Sequence, residues 1–67
     1  MSRRKGTVVR IRGVWATISW EQDGHVWASS VPAIRLVGDD LGVHDSFWED
    51  SEGLYWSTET VREEWLA

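Results

Sequence analysis

Hydrophobic and polar positions alternate with period two along most of the first half of the chain, which predicts strands rather than helices. In Thr7-Val8-Val9-Arg10-Ile11-Arg12, Thr7, Val9 and Ile11 share one face, and Val8, Arg10 and Arg12 share the other. Gly13 breaks the run and suits a turn or bulge. The clearest alternation follows: Val14, Ala16, Ile18 and Trp20 line a face that reads as core, with Trp15, Thr17 and Ser19 opposite. Asp23-Gly24 is a strong hairpin turn signal, and the returning strand is expected over His25 to Ser30. A loop of two or of four residues leaves the pairing parity unchanged, so Trp27 joins the core face of Ile18 and Trp20. Val31-Pro32 ends this strand, because proline cannot donate to a ladder. A short turn and a further strand are then expected in Ala33 to Val37, closed by Gly38-Asp39-Asp40.

The second half repeats the chemistry of the first. Trp48-Glu49-Asp50-Ser51-Glu52-Gly53-Leu54-Tyr55-Trp56 matches Trp20-Glu21-Gln22-Asp23-Gly24-His25-Val26-Trp27 with one residue inserted. Both stretches read as an aromatic strand, an acidic glycine turn and a strand ending in tryptophan. One matching pair is a weak sign of duplication, and the same hairpin device used twice is the better account of it. The expected parity puts Phe47 and Trp56 on one face, with Trp48 and Tyr55 on the other. Thr60 and Glu63 have capping-box spacing, and Val61 and Trp65 lie four apart, so a short C-terminal helix is expected. A helix that short needs Trp65 and Leu66 docked on the sheet.

Gly6-Thr7-Val8-Val9, the Trp15 to Trp20 strand before an acidic glycine turn, and Val31-Pro32 leading into Ile34-Arg35-Leu36-Val37 resemble the first part of an SH3-like small barrel of the Tudor or KOW kind. The likeness covers residues 6–37 and is one of fold pattern. It implies that Val31-Pro32 introduces a 3₁₀ turn before a further strand. Residues 42–67 then complete the barrel, extend the sheet or cover an open edge. The expected fold is all-β and mainly antiparallel: a small SH3-like barrel or bent sheet of about five to six short strands. Residues 1–5 form a flexible basic arm, and residues 6–67 form one domain.

Length and composition narrow the chemistry. Sixty-seven residues make one domain with a marginal core. There is no cysteine, so disulfides and thiol nucleophiles are excluded, which fits a reducing cytoplasm. No apolar run approaches the roughly 18 residues of a membrane span. Six tryptophans supply the bulk that a short chain otherwise lacks, and one or two more are present than a core needs. Charge is divided: residues 1–20 sum to +5, residues 21–35 to −1 and residues 36–67 to −8, giving −4.

Catalysis is not expected: no serine sits in a nucleophile elbow, and His25 and His44 lie near turns without a supporting motif. No spacing matches a metal site, no glycine loop cradles phosphate, and no cofactor is expected. Two binding readings remain. In the first, Trp15, Trp48 and Tyr55 lie opposite the core and join Glu49, Asp50 and Glu52 in an aromatic and acidic surface. Such a surface suits a protein partner or a cage for a cationic group, and attracts basic molecules. Burial of both sheet faces is the competing outcome. A compact acidic binder also has the form of a phage or mobile-element inhibitor of a host protein. In the second reading, Arg3, Arg4, Lys5, Arg10 and Arg12 with Trp15 form a nucleic-acid surface, opposed by the acidic half of the chain. A homodimer through an open strand edge is compatible with both.

Overall fold

The computed structural model describes residues 4–37 and 41–66. Five strands, β1 (Lys5–Arg12), β2 (Trp15–Gln22), β3 (His25–Pro32), β4 (Ser46–Glu49) and β5 (Tyr55–Ser57), form one sheet in the order β3-β2-β1-β4-β5. Every neighbouring pair is antiparallel. The sheet is open rather than closed into a barrel, with β3 as one edge. Beside β5, Leu36 forms a parallel bridge with Tyr55, and the Val37 N–H donates to the Tyr55 carbonyl at 3.1 Å.

Two tight hairpins build the three-stranded half. Gly13 (φ 60°) and Val14 join β1 to β2, and Asp23 (φ 54°) with Gly24 (φ 78°) joins β2 to β3. Glycine at the first position of the Gly13-Val14 loop, and positive φ at both positions of Asp23-Gly24, suit the right-handed twist of the flanking strands. Val14 therefore lies in the turn and is 75% exposed, not part of the core face that its alternation with Ala16 suggests. The other members of that face, Ala16, Ile18 and Trp20, are buried, and Trp27 packs partly against them.

A bulge corrects the face assignment in β1. Val8 pairs with Ile18, but Arg10 pairs with Thr17, so Val9 is an extra residue. Opposed residues of an antiparallel pair project to one face, so the bulge carries the core face from Val8 to Ile11 rather than from Val9 to Ile11. Arg10 and Arg12 then fall on the outer face with Thr17 and Trp15.

The β4–β5 hairpin corrects a second parity. Phe47 pairs with Ser57, Trp48 with Trp56 and Glu49 with Tyr55, across a connection of residues 50–54. One more residue in that loop than the expected pairing requires turns every β5 side chain over. Tyr55 thus enters the core with Phe47, while Trp48 and Trp56 lie on the other face. Phe47 and Tyr55 rings stand 4.6 Å apart, and Trp20 meets them edge-on at 5.3 and 5.9 Å. Leu41, from the connection between the two halves, completes the core.

The expected C-terminal helix is a single 3₁₀ turn, Glu63–Trp65. Its N-cap is Arg62, with no side-chain cap bond, so Thr60 does not close a capping box. Leu66 is 72% exposed and is not docked on the sheet, while Trp65 is half-buried.

Candidate interaction surfaces

Register brings Trp15 and the arginines of β1 together. Arg12 is the cross-strand partner of Trp15, and Arg10, opposite Thr17, stands next along the same face. Trp15 is 54% exposed, and both arginines are exposed. On its other side Trp15 faces Pro32 of β3. The Ala33 N–H donates to the Val14 carbonyl at 2.8 Å, tying the 3₁₀ turn Ala33–Arg35 to the hairpin tip. That turn carries Ile34, 83% exposed, and the exposed Arg35. Val14, Trp15, Pro32 and Ile34 therefore make an uncovered apolar end, flanked by three arginines.

The aromatic and acidic surface expected from the sequence is not assembled. Tyr55 is 2% exposed and Asp50 6%, so neither is available to a partner. Glu49 is held by Arg4, whose Nε and Nη2 donate to its two oxygens at 3.1 and 3.4 Å. Glu52 is exposed, as expected. Trp48 is half-buried opposite Lys5. Lys5 and Arg12 are seven residues apart in β1, so Trp48 and Trp15 lie roughly 23 Å from each other along the sheet at strand rise.

The basic arm is likewise divided. Arg3 lies outside the described residues. The Arg4 guanidinium sits 4.1 Å from the Trp20 ring centroid, and the Lys5 ammonium lies 5.7 Å from that of Trp48. Lys5 is the first residue of β1, and the Glu49 N–H donates to the Arg4 carbonyl at 2.9 Å, so neither belongs to a free arm. Around them Arg4, Lys5, Trp20, Glu21, Trp27 and Trp48 line an open concavity of about 480 Å³. The chain's own cations lie over the Trp20 and Trp48 rings, two of the three indoles there that a cage would offer to a cationic ligand.

Asp50 is the polar centre that sequence reasoning placed on the surface. Its Oδ1 accepts from the Glu52 and Leu54 N–H groups at 2.8 and 2.9 Å. Its Oδ2 accepts from Trp56 Nε1 at 2.9 Å and from Arg62 Nη1 at 3.4 Å. Arg62 also stacks 4.4 Å from the Trp56 ring, fastening the C-terminal segment to β5. The sequence signal was there: Asp50 with Gly53 three residues on is a turn signature, and the Gly53 N–H does donate to the Asp50 carbonyl at 3.1 Å.

Burial pushes the Asp50 pKa up, but the Trp56 indole, the Leu54 and Glu52 N–H groups and the Arg62 charge outweigh it and hold the carboxyl below its ordinary 3.8. A folded-state pKa below the unfolded one stabilises the fold above the unfolded value, and the gain disappears as pH falls through the folded value. Stability should therefore decline as pH drops below about 4. Urea midpoints of the wild type and Asp50→Asn between neutral pH and pH 2.5 check this. An equally steep decline in both would rule Asp50 out as a source.

His25 and His44 are both exposed; His44 is held at φ 76° in a turn where its N–H donates to the Val8 carbonyl at 2.7 Å. Among the described residues no group of three or more His, Cys, Asp or Glu side chains could hold a metal ion, and no helix is long and apolar enough to cross a membrane. The architecture is that of a small open antiparallel sheet with an uncovered aromatic and arginine end. Comparison of the chain with protein-family models, curated proteins and solved structures finds no match.

Proposed function

We propose that this chain is a non-enzymatic protein-interaction module that recognises its partner through the Trp15 end of the sheet. The observation that carries this reading is the exposure of Val14, Trp15 and Ile34 together, beside Arg10, Arg12 and Arg35. Tryptophan and arginine dominate interface hot spots, and clustered exposed aliphatics mark docking surfaces. The partner chemistry that fits is an apolar patch rimmed by carboxylates, in place of the basic partner that an acidic surface would attract. The 3₁₀ turn directly after Val31-Pro32 supports taking the sheet as an opened relative of the SH3-like barrel.

A nucleic-acid reading is supported by one observation, the alignment of Arg10, Arg12 and Trp15 on one face, which offers two phosphate contacts beside a stacking surface. An amide NMR titration with duplex DNA and single-stranded RNA at two salt concentrations separates the readings. Shifts at residues 10–17 that fade with salt establish nucleic-acid binding and sink the protein reading. Without them, a photocrosslinker at position 15 should capture a protein, and Ile34→Asp should abolish the capture. Trp15→Ala should change stability by no more than about 0.5 kcal/mol, as exposed positions do, while removing binding. A large loss of stability in that variant would show that Trp15 is structural.

A further inference from the structure

Among the described residues, the edge strand β3 carries one of the devices that normally stop a sheet from growing, Pro32 at its last position. It is eight residues long and contains no Asp, Glu, Lys or Arg. Natural edges are blunted by charge, by proline, by bulges or by covering segments, and in β3 the proline leaves residues 25–31 unguarded. The sheet's bulge lies in β1, and the covering segment, Leu36–Val37, lies against β5.

Register shows which peptide groups of β3 are unpaired. Asp23-Gly24 is a two-residue loop, so the closing pair Gln22–His25 exchanges both of its hydrogen bonds, and bonded pairs alternate from there. His25, Trp27, Ser29 and Val31 then bond to β2, while Val26, Ala28, Ser30 and Pro32 turn their peptide groups outward. The other hairpin gives the same assignment. Its closing pair Arg12–Trp15 turns Trp15 toward β1, which leaves Trp15–Pro32 a non-bonded pair. Pro32, with no N–H, falls on the outward side and marks where pairing must stop. Val26, Ala28 and Ser30 are all exposed.

We infer that β3 is a self-pairing edge: two copies of this chain join their sheets antiparallel about a twofold axis at Ala28, with Val26 opposite Ser30 of the second copy. This is the register in which all three outward residues pair both their N–H and their C=O, giving about six ladder bonds. Sliding the strands by two residues toward Pro32 sets Val26 against a proline that cannot donate. A second copy suits the edge because the strand is self-complementary. Small side chains meet at the axis, no like charges oppose, and the indole of Trp27 lies across from Ser29 of the second copy on the core face. The pairing uses residues 26–30 and leaves the Trp15 end of each copy open.

Sedimentation velocity over a range of concentrations, with amide hydrogen exchange, tests this on the intact chain. The wild type should dimerise. Exchange at Val26, Ala28 and Ser30 should slow at least about tenfold from dilute to concentrated protein, while Trp27 and Ser29, already bonded to β2, change little. Ala28→Pro removes an outward N–H without touching the β2 ladder, and Ala28→Lys sets two ammonium groups against each other at the axis. Both should be monomeric. If the proline variant fails to fold, the lysine variant and the wild-type exchange pattern still decide. A wild type that stays monomeric at NMR concentrations overturns the inference. So does a dimer unaffected by Ala28→Lys, or protection that appears elsewhere. Trp15→Ala should leave the dimer intact, so the failure of this inference is distinct from failure of the Trp15 surface.

Discussion

Asp50→Ala is expected to cost about 3–5 kcal/mol, because it leaves three neutral N–H donors without their acceptor at once. The carboxylate organises a whole loop: two backbone N–H groups, an indole N–H and a guanidinium converge on its two oxygens within 3.4 Å. Each donor stranded away from water forfeits about 1–3 kcal/mol. Arg62 adds least, since its side chain is one-third exposed and rehydrates when the partner goes. A chain of this length has roughly 3–10 kcal/mol of stability in total, so the variant should lie close to the unfolding threshold. Asp50→Asn keeps an acceptor for the Glu52 and Leu54 N–H groups but sets an amide against the Trp56 indole, and should lose about 1–2 kcal/mol. Urea titration followed by tryptophan fluorescence measures both. An alanine variant within about 0.5 kcal/mol of wild type would show that the loop holds its shape without the carboxylate.

Gly6→Ala should destabilise by about 2–3 kcal/mol, the upper part of the range for overpacking a core. Local propensity points the other way, because alanine costs less than glycine inside a strand, by about 0.5–1 kcal/mol. The two effects have opposite signs, so the experiment decides between them. β1 is held between β2 and β4, with Gly6 opposite Trp20 on one side and Phe47 on the other. A Cβ at Gly6 would lie 2.5 Å from Phe47 Cζ and 2.9 Å from the Ser19 carbonyl oxygen. The ring has no room to retreat, since Phe47 is fully buried against Trp20 and Tyr55. Combining Gly6→Ala with Phe47→Leu should cost about 1 kcal/mol less than the sum of the single variants, because the shorter side chain relieves part of the overlap. Additive costs, or an alanine variant as stable as wild type, would mean that β1 shifts to absorb the methyl group.

Much of the three-stranded half is legible in the sequence because its signals are local. Period-two alternation locates β2, Asp23-Gly24 locates the second hairpin, and both act over a few residues. Trp27 is correctly placed on the core face because an even loop length preserves parity. Arg10 and Arg12 share a face, as their alternation predicts, and the register of β1 with β2 sets Trp15 on it. The errors have local causes of another kind. One extra residue at Val9 shifts the face in β1, and one extra residue in the 50–54 loop turns Tyr55 inward. Period two carries no internal check, so a single insertion inverts every later assignment.

Amino-acid order alone establishes the class of molecule, all-β and antiparallel and free of cysteine, but the core takes only Trp20 of the six tryptophans as a buried member, with Trp27 packed partly against it. Those properties follow from side-chain volume, alternation and turn chemistry, which act over neighbouring residues. Which carboxylate is internal, which cations lie over indoles and which edge stays unpaired depend on contacts made in the folded sheet. Asp50 differs from Glu52 through Trp56 and Arg62, which reach it from later in the chain. Arg4 differs from Arg12 because Glu49 and Trp20 stand beside one, while Trp15 and solvent stand beside the other. Burial and pairing are properties of a three-dimensional neighbourhood, and Arg4 meets Glu49, 45 residues away, only because β1 pairs with β4.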